Sequence, residues 1–181
     1  MDLIVEDGTG INDADSFVSL VHARDFADKY GITLPADDKD VEVSLRQAYL
    51  HLLTYEKDLQ GSRATETQNN IFPRTGVKSN CVDVDIDSIP EAVKRANIYA
   101  ASAISEGYST NAVDTQEVQD SFSLEGVMSI SYKDGTSTKL NKSIQGVDNS
   151  LYPLTKSGLA ASPCGNGGMN TLRRDDYFYG C

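Results

Sequence analysis

Residues 35–58 read PADDKDVEVSLRQAYLHLLTYEKD, and this stretch decides the fold because it carries the strongest periodic signal in the chain. Its apolar residues recur at steps of four and three, a spacing that places side chains on one face of an α-helix. They are Val41, Leu45, Ala48, Leu52 and Tyr55. The Pro-Asp turn at the beginning is a typical helix start, so we predict one helix that runs to about Asp58. Such a helix is about 30 Å long and is expected to form the centre of a small bundle.

Two further helices are predicted, one on each side of this stretch. Ser19 is a suitable N-cap for a helix over residues 20–30, and Gly31 is a suitable end point. The other helix begins at Ile89-Pro90-Glu91, because proline fits the first helical turn and a carboxylate is favourable at a helix N-terminus. It is expected to run to about Glu106.

The segment between the second and third helices, residues 62–87, is rich in Thr, Asn and Asp, which predicts loop or short strand. Residues 82–87 read VDVDID, and this alternation predicts a short strand with an acidic solvent face. The same acids have the spacing that begins a calcium-binding loop. That loop needs Gly where Ser88 stands and Glu where Lys94 stands, so the sequence argues against a calcium site.

After the third helix the apolar period changes to two residues. Residues 115–133 alternate in this way on both sides of Glu125-Gly126, which predicts a β-hairpin. Residues 147–155 predict a short fourth helix, whose length Pro153 limits. Residues 157–181 are rich in glycine and predict a flexible tail.

Together these elements predict a mainly α fold of the α+β class. The expected architecture is a three- to four-helix bundle that carries a β-hairpin and an extended C-terminal arm. An apolar content of 39% is enough for one modest core. The predicted domains are a helical domain over residues 1–156 and a tail over residues 157–181.

The charge distribution bears on nucleic-acid binding. The formal net charge is −11, and residues 157–181 contribute nothing to it because Arg173 and Arg174 offset Asp175 and Asp176. Proteins that bind single-stranded DNA use Lys or Arg for the phosphates and aromatic side chains for the bases. This chain has no Trp and no basic cluster beyond those two arginines. An acidic body better suits a channel wall that repels DNA and lets it slide.

The cysteines and histidines point to no reactive site. Cys81, Cys164 and Cys181 form no CxxC pair and are odd in number, so we expect free thiols. His22 and His51 each lie on a predicted helix without an acid or Cys at a metal-binding spacing, so we expect no metal. No hydrolase nucleophile motif and no Cys–His pairing is present. We predict no catalytic residues, no cofactor and no enzyme activity.

The hydropathy pattern gives no sign of a membrane or secretion signal. No apolar run approaches the roughly 20 residues that span a bilayer, and the N-terminus has neither the basic start nor the apolar stretch of a signal peptide. We expect the protein to stay in the cytoplasm in which it is made.

The N-terminal segment Val5-Glu6-Asp7-Gly8-Thr9-Gly10 has some of the glycines of a phosphate-binding loop. Such a loop needs converging backbone N–H groups, followed by Lys and Ser or Thr at a helix start. Here the surrounding side chains are carboxylates, which would repel a polyphosphate. They are Asp2, Glu6, Asp7, Asp13 and Asp15. We interpret the segment as a turn-rich arm that leads into the first helix.

Three motifs in register give the chain a resemblance to a known family. They are Val5–Gly10 with the following residues 12–18, Phe72-Pro73-Arg74-Thr75-Gly76-Val77, and Ile89-Pro90-Glu91-Ala92-Val93-Lys94. In order and spacing, residues 3–156 resemble the head–tail connector (adaptor, or head-completion) proteins of tailed bacteriophages, many of which carry the label DnaT-like single-stranded DNA-binding protein. Phe72 stands where the family is expected to have Trp, and the family core does not cover the residues after Lys156.

The resemblance implies a virion structural protein without catalytic activity. It implies an adaptor subunit at the head–tail interface, made in the host cytoplasm, in a ring that is twelve-membered to match the portal. Such a ring extends the DNA channel toward the tail for packaging and ejection. The implied partners are further copies of the chain, the portal protein, and a tail, stopper or nozzle protein on the distal face. Genomic DNA passes without sequence-specific binding. The alternative, taken from the family label, is a replication accessory protein that binds single-stranded DNA.

Candidate partner-binding residues occur in two places. The planar guanidinium of Arg74 can tie its loop to a carboxylate within the subunit or across an interface. In the tail, two arginines precede three aromatic residues, the composition of a short anchor that orders on a partner. These residues are Arg173, Arg174, Tyr177, Phe178 and Tyr179. The alternatives are a structural role for Arg74 and a tail without a role.

Overall fold

The computed structural model describes residues 3–108, 121–124, 128–131 and 144–164. The α-helices in these ranges are α1 (Leu20–Tyr30), α2 (Asp38–Leu53), α3 (Glu91–Ser105), α4 (Gln145–Leu151) and α5 (Lys156–Ala161). The strands are β1 (Ser62–Arg63), β2 (Arg74–Thr75), β3 (Lys78–Ser79), β4 (Val82–Asp83), β5 (Ser121–Leu124) and β6 (Met128–Ser131). They form three antiparallel pairs, β1–β2, β3–β4 and β5–β6. The predicted α+β class, with helix predominant, is confirmed.

The core lies where α2 packs against α3, and α4 also packs on α3. The apolar stripe predicted for the second helix faces this core. Its first four residues, Val41, Leu45, Ala48 and Leu52, are buried. The facing residues of α3 are small, which lets the two helices approach closely. They include Val93, Ala96 and Ala100.

α1 begins and ends where the sequence predicts. The Ser19 hydroxyl accepts a hydrogen bond from the backbone N–H of His22 at 3.2 Å. Gly31 has a φ of 67°, a left-handed conformation that a residue without Cβ adopts readily. The buried face of this helix does not reach its last residue, since Tyr30 is 56% exposed.

α2 ends at Leu53, so the prediction that it runs to Asp58 is wrong. The backbone N–H and the hydroxyl of Thr54 both donate to the carbonyl of His51, at 3.1 and 2.7 Å. Such local bonds to Thr compete with the next α-helical hydrogen bond and tighten the last turn. A separate 3₁₀ turn follows at Glu56–Asp58.

The predicted acidic strand over residues 82–87 is wrong beyond its first two residues. β4 ends at Asp83, so the period-two alternation does not continue along the segment. Only Val84 packs against the core, whereas Val82 is 69% exposed and Ile86 is 41% exposed. The segment therefore presents apolar and acidic side chains together to solvent.

The predicted fourth helix is divided in two. α4 ends at Leu151, and a 3₁₀ turn that contains Pro153 follows at Tyr152–Leu154. Proline lacks the N–H that a continuing α-helix needs. α5 then begins at Lys156, so the first part of the predicted flexible tail is helical.

The side chain of Gln60 anchors this C-terminal part to the body. Its amide nitrogen lies 3.0 Å from the carbonyl oxygens of Lys78, Pro153 and Thr155. Its amide oxygen accepts the backbone N–H of Lys78 at 2.9 Å. Because Gln60 is 2% exposed, these bonds satisfy a polar group inside the protein.

Cys81 and Cys164 form a disulfide, so the prediction of free thiols is wrong for these two residues. They are 83 residues apart, and their spacing in sequence carries no pairing signal. Cys81 lies in the β3–β4 turn, where it and Asn80 have φ values of 69° and 50°. The fold brings this turn close to Cys164, which follows α5. Cys181 lies outside the described residues.

β5 and β6 form the β-hairpin that the sequence predicts. Phe122 pairs with Ile130, and Leu124 pairs with Met128. The intervening turn at residues 125–127 lies outside the described residues.

Candidate partner-binding surface

The glycine-containing turn at residues 5–10 encloses a carboxylate of its own. Glu6 is 2% exposed, and its Oε1 accepts the backbone N–H groups of Gly8 and Gly10 at 2.9 and 2.8 Å. Both glycines have positive φ, which lets two N–H groups converge on one anion. The turn thus has the geometry of an anion site, and the side chain of Glu6 fills it. This agrees with the interpretation of the segment as a turn.

A buried polar network connects this turn to α2. The side-chain amide of Asn70 donates to Oε2 of Glu6 and to the carbonyl of Ile11. The hydroxyl of Tyr49 donates to the Asn70 side-chain oxygen. Burial, together with the nearby Glu6 carboxylate, raises the pKa of Tyr49 to about 12, so its hydroxyl remains a donor at neutral pH. Each member therefore has partners, as a buried network requires.

The three motifs that carry the resemblance meet inside the subunit. Gly8 of the first motif lies against the backbone before the third, since a Cβ added to it would be 2.2 Å from the carbonyl oxygen of Asp87. Phe72 of the second motif and Ile89 of the third belong to the same apolar core. Their contacts are internal, so these motifs specify the fold.

Arg74, predicted as a partner-binding residue, is 4% exposed and used within the subunit. Its guanidinium donates to the carbonyl oxygens of Gln60, Gly61 and Ile71, at 2.8, 2.9 and 3.2 Å. Glu56 lies 3.8 Å away. Burial is the main cause that lowers the pKa of Arg74. These contacts match the structural alternative for this residue.

Most other described arginines are also paired within the subunit. Arg63 makes a two-pronged contact with Glu56 at 2.6 and 2.5 Å, and this hydrogen bond is the main cause that lowers the pKa of Glu56. The remaining pairs are Arg24 with Asp38 at 2.8 Å and Arg46 with Asp15 at 2.6 Å. The guanidinium groups that could serve a polyanion are therefore largely compensated by carboxylates.

Two cations that line a single cleft do not follow this pattern. Within the described residues, Lys29 on α1 and Arg95 on α3 have no carboxylate oxygen within 4.0 Å. They line one cleft of about 320 Å³ between the two helices. We call this surface the α1–α3 patch. It comprises His22, Phe26, Lys29 and Tyr30 of α1 and Glu91, Arg95 and Tyr99 of α3.

The helical repeat builds this patch. His22, Phe26 and Tyr30 follow one another at four-residue steps on α1, and Glu91, Arg95 and Tyr99 do so on α3, so each set forms a stripe on one side of its helix. The stripes run side by side. His22 Nε2 lies 3.6 Å from Glu91, and the rings of Phe26 and Tyr99 meet edge-on at 6.2 Å between centroids.

Aromatic contacts hold the patch together. The Phe26 and Tyr30 rings are 4.4 Å apart, and the Lys29 ammonium lies 5.4 Å from the Tyr30 ring centre. Tyr99 is fixed from behind by Gly146 of α4, where an added Cβ would be 3.0 Å from the ring. The result is a half-exposed aromatic surface beside two uncompensated cations, which suits a ligand that is both apolar and anionic.

Carboxylates also border the patch. Asp25 and Glu91 line the same cleft. Glu91 is shared between His22 at 3.6 Å and Lys94 at 3.7 Å, so it does not neutralise Arg95. A ligand with evenly spaced charges, such as a phosphate backbone, therefore meets repulsion as well as attraction.

The histidines form no metal site with their described neighbours. No group of three or more His, Cys, Asp or Glu side chains in the described ranges could hold a metal ion. The ring of His51 meets Tyr55 and Tyr108 edge-on at 5.6 and 5.9 Å, and burial lowers the pKa of His51. Among the same residues, no helix is long and apolar enough to cross a membrane.

The sequence pattern did not predict the α1–α3 patch, and the predicted partner-binding residues lie elsewhere in the chain. Phe26 and Tyr30 have the spacing of an inward helix face, and spacing alone does not show how much of a helix a neighbour covers. The predicted residues of the tail lie outside the described residues. They are Arg173, Arg174, Tyr177, Phe178 and Tyr179. Their partner-binding role stays a prediction.

Comparisons with known proteins give one match. A family model described as "Putative DnaT-like ssDNA binding protein" matches residues 1–175. Neither the curated proteins nor the solved structures contain a match to the chain.

Proposed function

The chain belongs to the family described as "Putative DnaT-like ssDNA binding protein", and we propose that its function within that family is structural, as a subunit of the head–tail adaptor ring of a tailed bacteriophage. The ring binds the portal and extends the DNA channel toward the tail, with a further tail component on its distal face. The protein performs no catalysis in this role.

The observation that carries the proposal is the internal use of arginine in an acidic chain. Arg24, Arg46 and Arg63 pair with carboxylates, and Arg74 is buried among carbonyl oxygens. With a net charge of −11, little positive charge remains for holding a phosphate backbone. A channel component benefits from this because DNA has to pass without adhering.

The resemblance in three motifs supports the same role. These motifs pack together inside the subunit, so the family signal is a signal for a shared scaffold. A closed ring of such subunits needs two different complementary surfaces on each copy, as well as a surface for the portal. The α1–α3 patch and the predicted aromatic tail supply candidates for these contacts.

Reconstitution with the portal protein encoded by the same phage tests the proposal. We expect the purified chain to bind portal rings and to add one further ring of density in electron micrographs. Deletion of residues 170–181 is expected to weaken portal binding while leaving the unfolding midpoint unchanged, since the glycine-rich sequence before them predicts a tail separate from the core. A chain that does not bind the portal under any condition would defeat the proposal.

A second candidate function is binding of single-stranded DNA, as the family description states. The α1–α3 patch favours it, because aromatic side chains beside Lys29 and Arg95 are the elements that such proteins use. Retention of the chain on single-stranded DNA, measured against salt concentration, separates the two functions. Strong retention with a steep salt slope, lost in Arg95→Glu and kept in Lys39→Glu, would favour DNA binding over the adaptor role.

A further inference from the structure

The α1–α3 patch has the chemistry to receive an anionic and apolar segment. Its stripe from His22 to Tyr30 is about 12 Å long at 1.5 Å per residue. Tyr30 is 56% exposed, and Lys29 and Arg95 have no carboxylate within 4.0 Å among the described residues. A matching occupant carries exposed apolar side chains interleaved with carboxylates over a similar length.

The chain contains such a segment at residues 82–87. Val82 is 69% exposed and Ile86 is 41% exposed, so the segment presents two apolar side chains among its acids. Of the interleaved acids, Asp83 pairs with Lys78 at 2.8 Å. Asp85 and Asp87 have no ion pair with any described cation.

This acidic segment is held at both ends. The disulfide between Cys81 and Cys164 fixes its beginning, and the backbone N–H of Val84 donates to the carbonyl of Val77 at 2.9 Å. At its end, Gly8 packs against the Asp87 carbonyl. A segment restrained in this way loses little conformational entropy when it docks.

We propose that the α1–α3 patch of one copy receives the acidic segment, residues 82–87, of a second copy. In this contact Arg95 and Lys29 meet Asp85 and Asp87, while Val82 and Ile86 cover the exposed edge of the aromatic pair. In the ring each copy gives its segment to one neighbour and receives the segment of the other neighbour on its patch, which is a heterologous contact. The inference rests on the proposed function and specifies which surfaces join neighbours in the ring.

Charge distribution favours this occupant over a nucleic acid. Asp25 and Glu91 border the cleft, so a continuous phosphate backbone would place charge against charge. The acidic segment brings only two uncompensated carboxylates and adds apolar side chains, which a phosphate backbone lacks.

Charge reversal on each side of the contact tests the proposal. Self-association of the full chain, with its disulfide intact, is measured by sedimentation velocity from about 1 µM to about 1 mM, a range that covers weak protein contacts. The variants are Arg95→Glu on the patch and Asp85→Arg on the segment. Lys39→Glu is the matched control, because Lys39 is exposed on α2 and has no described carboxylate partner.

Each single reversal is expected to raise the dissociation constant at least about tenfold, since close charge pairs at interfaces couple strongly. An equimolar mixture of Arg95→Glu and Asp85→Arg is expected to associate again. The unaltered patch of Asp85→Arg then meets the unaltered segment of Arg95→Glu, and the altered patch meets the altered, oppositely charged segment. The Lys39→Glu variant is expected to associate as the wild type does. Recovery in the mixture excludes misfolding as the cause of the single-variant losses.

Three outcomes would overturn the inference. One is a wild-type chain that stays monomeric over the whole range. Another is association that neither reversal changes. The third is loss of single-stranded DNA binding in Arg95→Glu with association unchanged, which would assign the patch to DNA. Portal binding is measured separately, so a ring that assembles on the portal without this contact would leave the proposed function standing while the inference fails.

Discussion

Replacement of Glu6 by Ala is expected to destabilise the protein by about 3–5 kcal/mol, because it leaves three N–H donors without their charged acceptor. The change removes the acceptor of the Gly8 and Gly10 N–H groups and of the Asn70 amide. Each hydrogen bond to a charged group contributes roughly 1.5–3 kcal/mol. The substitution also removes the unfavourable free energy of burying the Glu6 carboxylate, and this gain offsets part of the loss from the three hydrogen bonds.

A second substitution at the same position separates hydrogen bonding from side-chain volume. Glu6→Gln retains an oxygen for the two glycine N–H groups but places an amide nitrogen against the Asn70 amide. Asn70 does not flip freely, because its oxygen accepts from Tyr49 and its nitrogen also donates to Ile11. We expect a smaller loss of about 1–3 kcal/mol, the cost of leaving one buried polar group unsatisfied.

Equilibrium urea unfolding, followed by circular dichroism with the disulfide intact, measures these losses. With a slope of about 2 kcal/mol per molar urea, Glu6→Ala is expected to lower the midpoint by about 2 M. Asp7→Ala is the control, because the Asp7 carboxylate is exposed and accepts from Thr9 two residues along the chain, and its midpoint is expected to change much less. A Glu6→Ala midpoint equal to that of the control would refute the argument that the turn is built around a buried anion.

Three further predictions concern stability. Because burial holds the pKa of His51 below its usual range, the unfolded chain takes up the proton first as pH falls. The stabilising contribution of neutral His51 is therefore complete above about pH 6.5 and is lost as the pH falls toward the pKa of His51 in the folded state. Urea midpoints from pH 8 to 5 are expected to fall less in His51→Phe than in the wild type, and equal slopes would contradict this. Gly146→Ala is expected to destabilise the protein by about 1–3 kcal/mol because the new Cβ would lie 3.0 Å from the Tyr99 ring. A gain of stability on thermal unfolding, as at an unobstructed helical glycine, would show that the ring yields. Reduction of the Cys81–Cys164 disulfide is expected to cost about 2–4 kcal/mol. Cys164→Ser is expected to show that loss with or without reductant, so a reductant-sensitive variant would contradict the assignment.

The sequence was informative where local chemistry is enough to define an element. Ser19 and Gly31 define the ends of α1, because a capping hydroxyl and a left-handed glycine act within one helical turn. The period-two alternation predicted the β5–β6 hairpin in the same way. At Thr54, competition between local hydrogen bonds ended α2 earlier than its apolar period indicates.

Contacts between distant residues decided the rest. Cys81 and Cys164 pair only because the fold brings the β3–β4 turn to the end of α5, and no spacing in the sequence encodes that approach. The position of α1 beside α3 exposes Tyr30 and leaves Lys29 and Arg95 uncompensated, although their sequence neighbours at four-residue spacing, Asp25 and Glu91, are acids. The candidate surface is therefore a property of helix packing.

The sequence by itself determined the fold class, most helix positions and the three motifs that identify the family, because periodicity, capping and turn chemistry are local. Only the tertiary structure decided which charges remain available. Arg74 is buried and donates to backbone carbonyl oxygens, and Glu6 accepts the N–H groups of its own turn. The segment at residues 82–87 is instead exposed to solvent. The physical reason is that burial and ion pairing depend on side chains that are far apart along the chain.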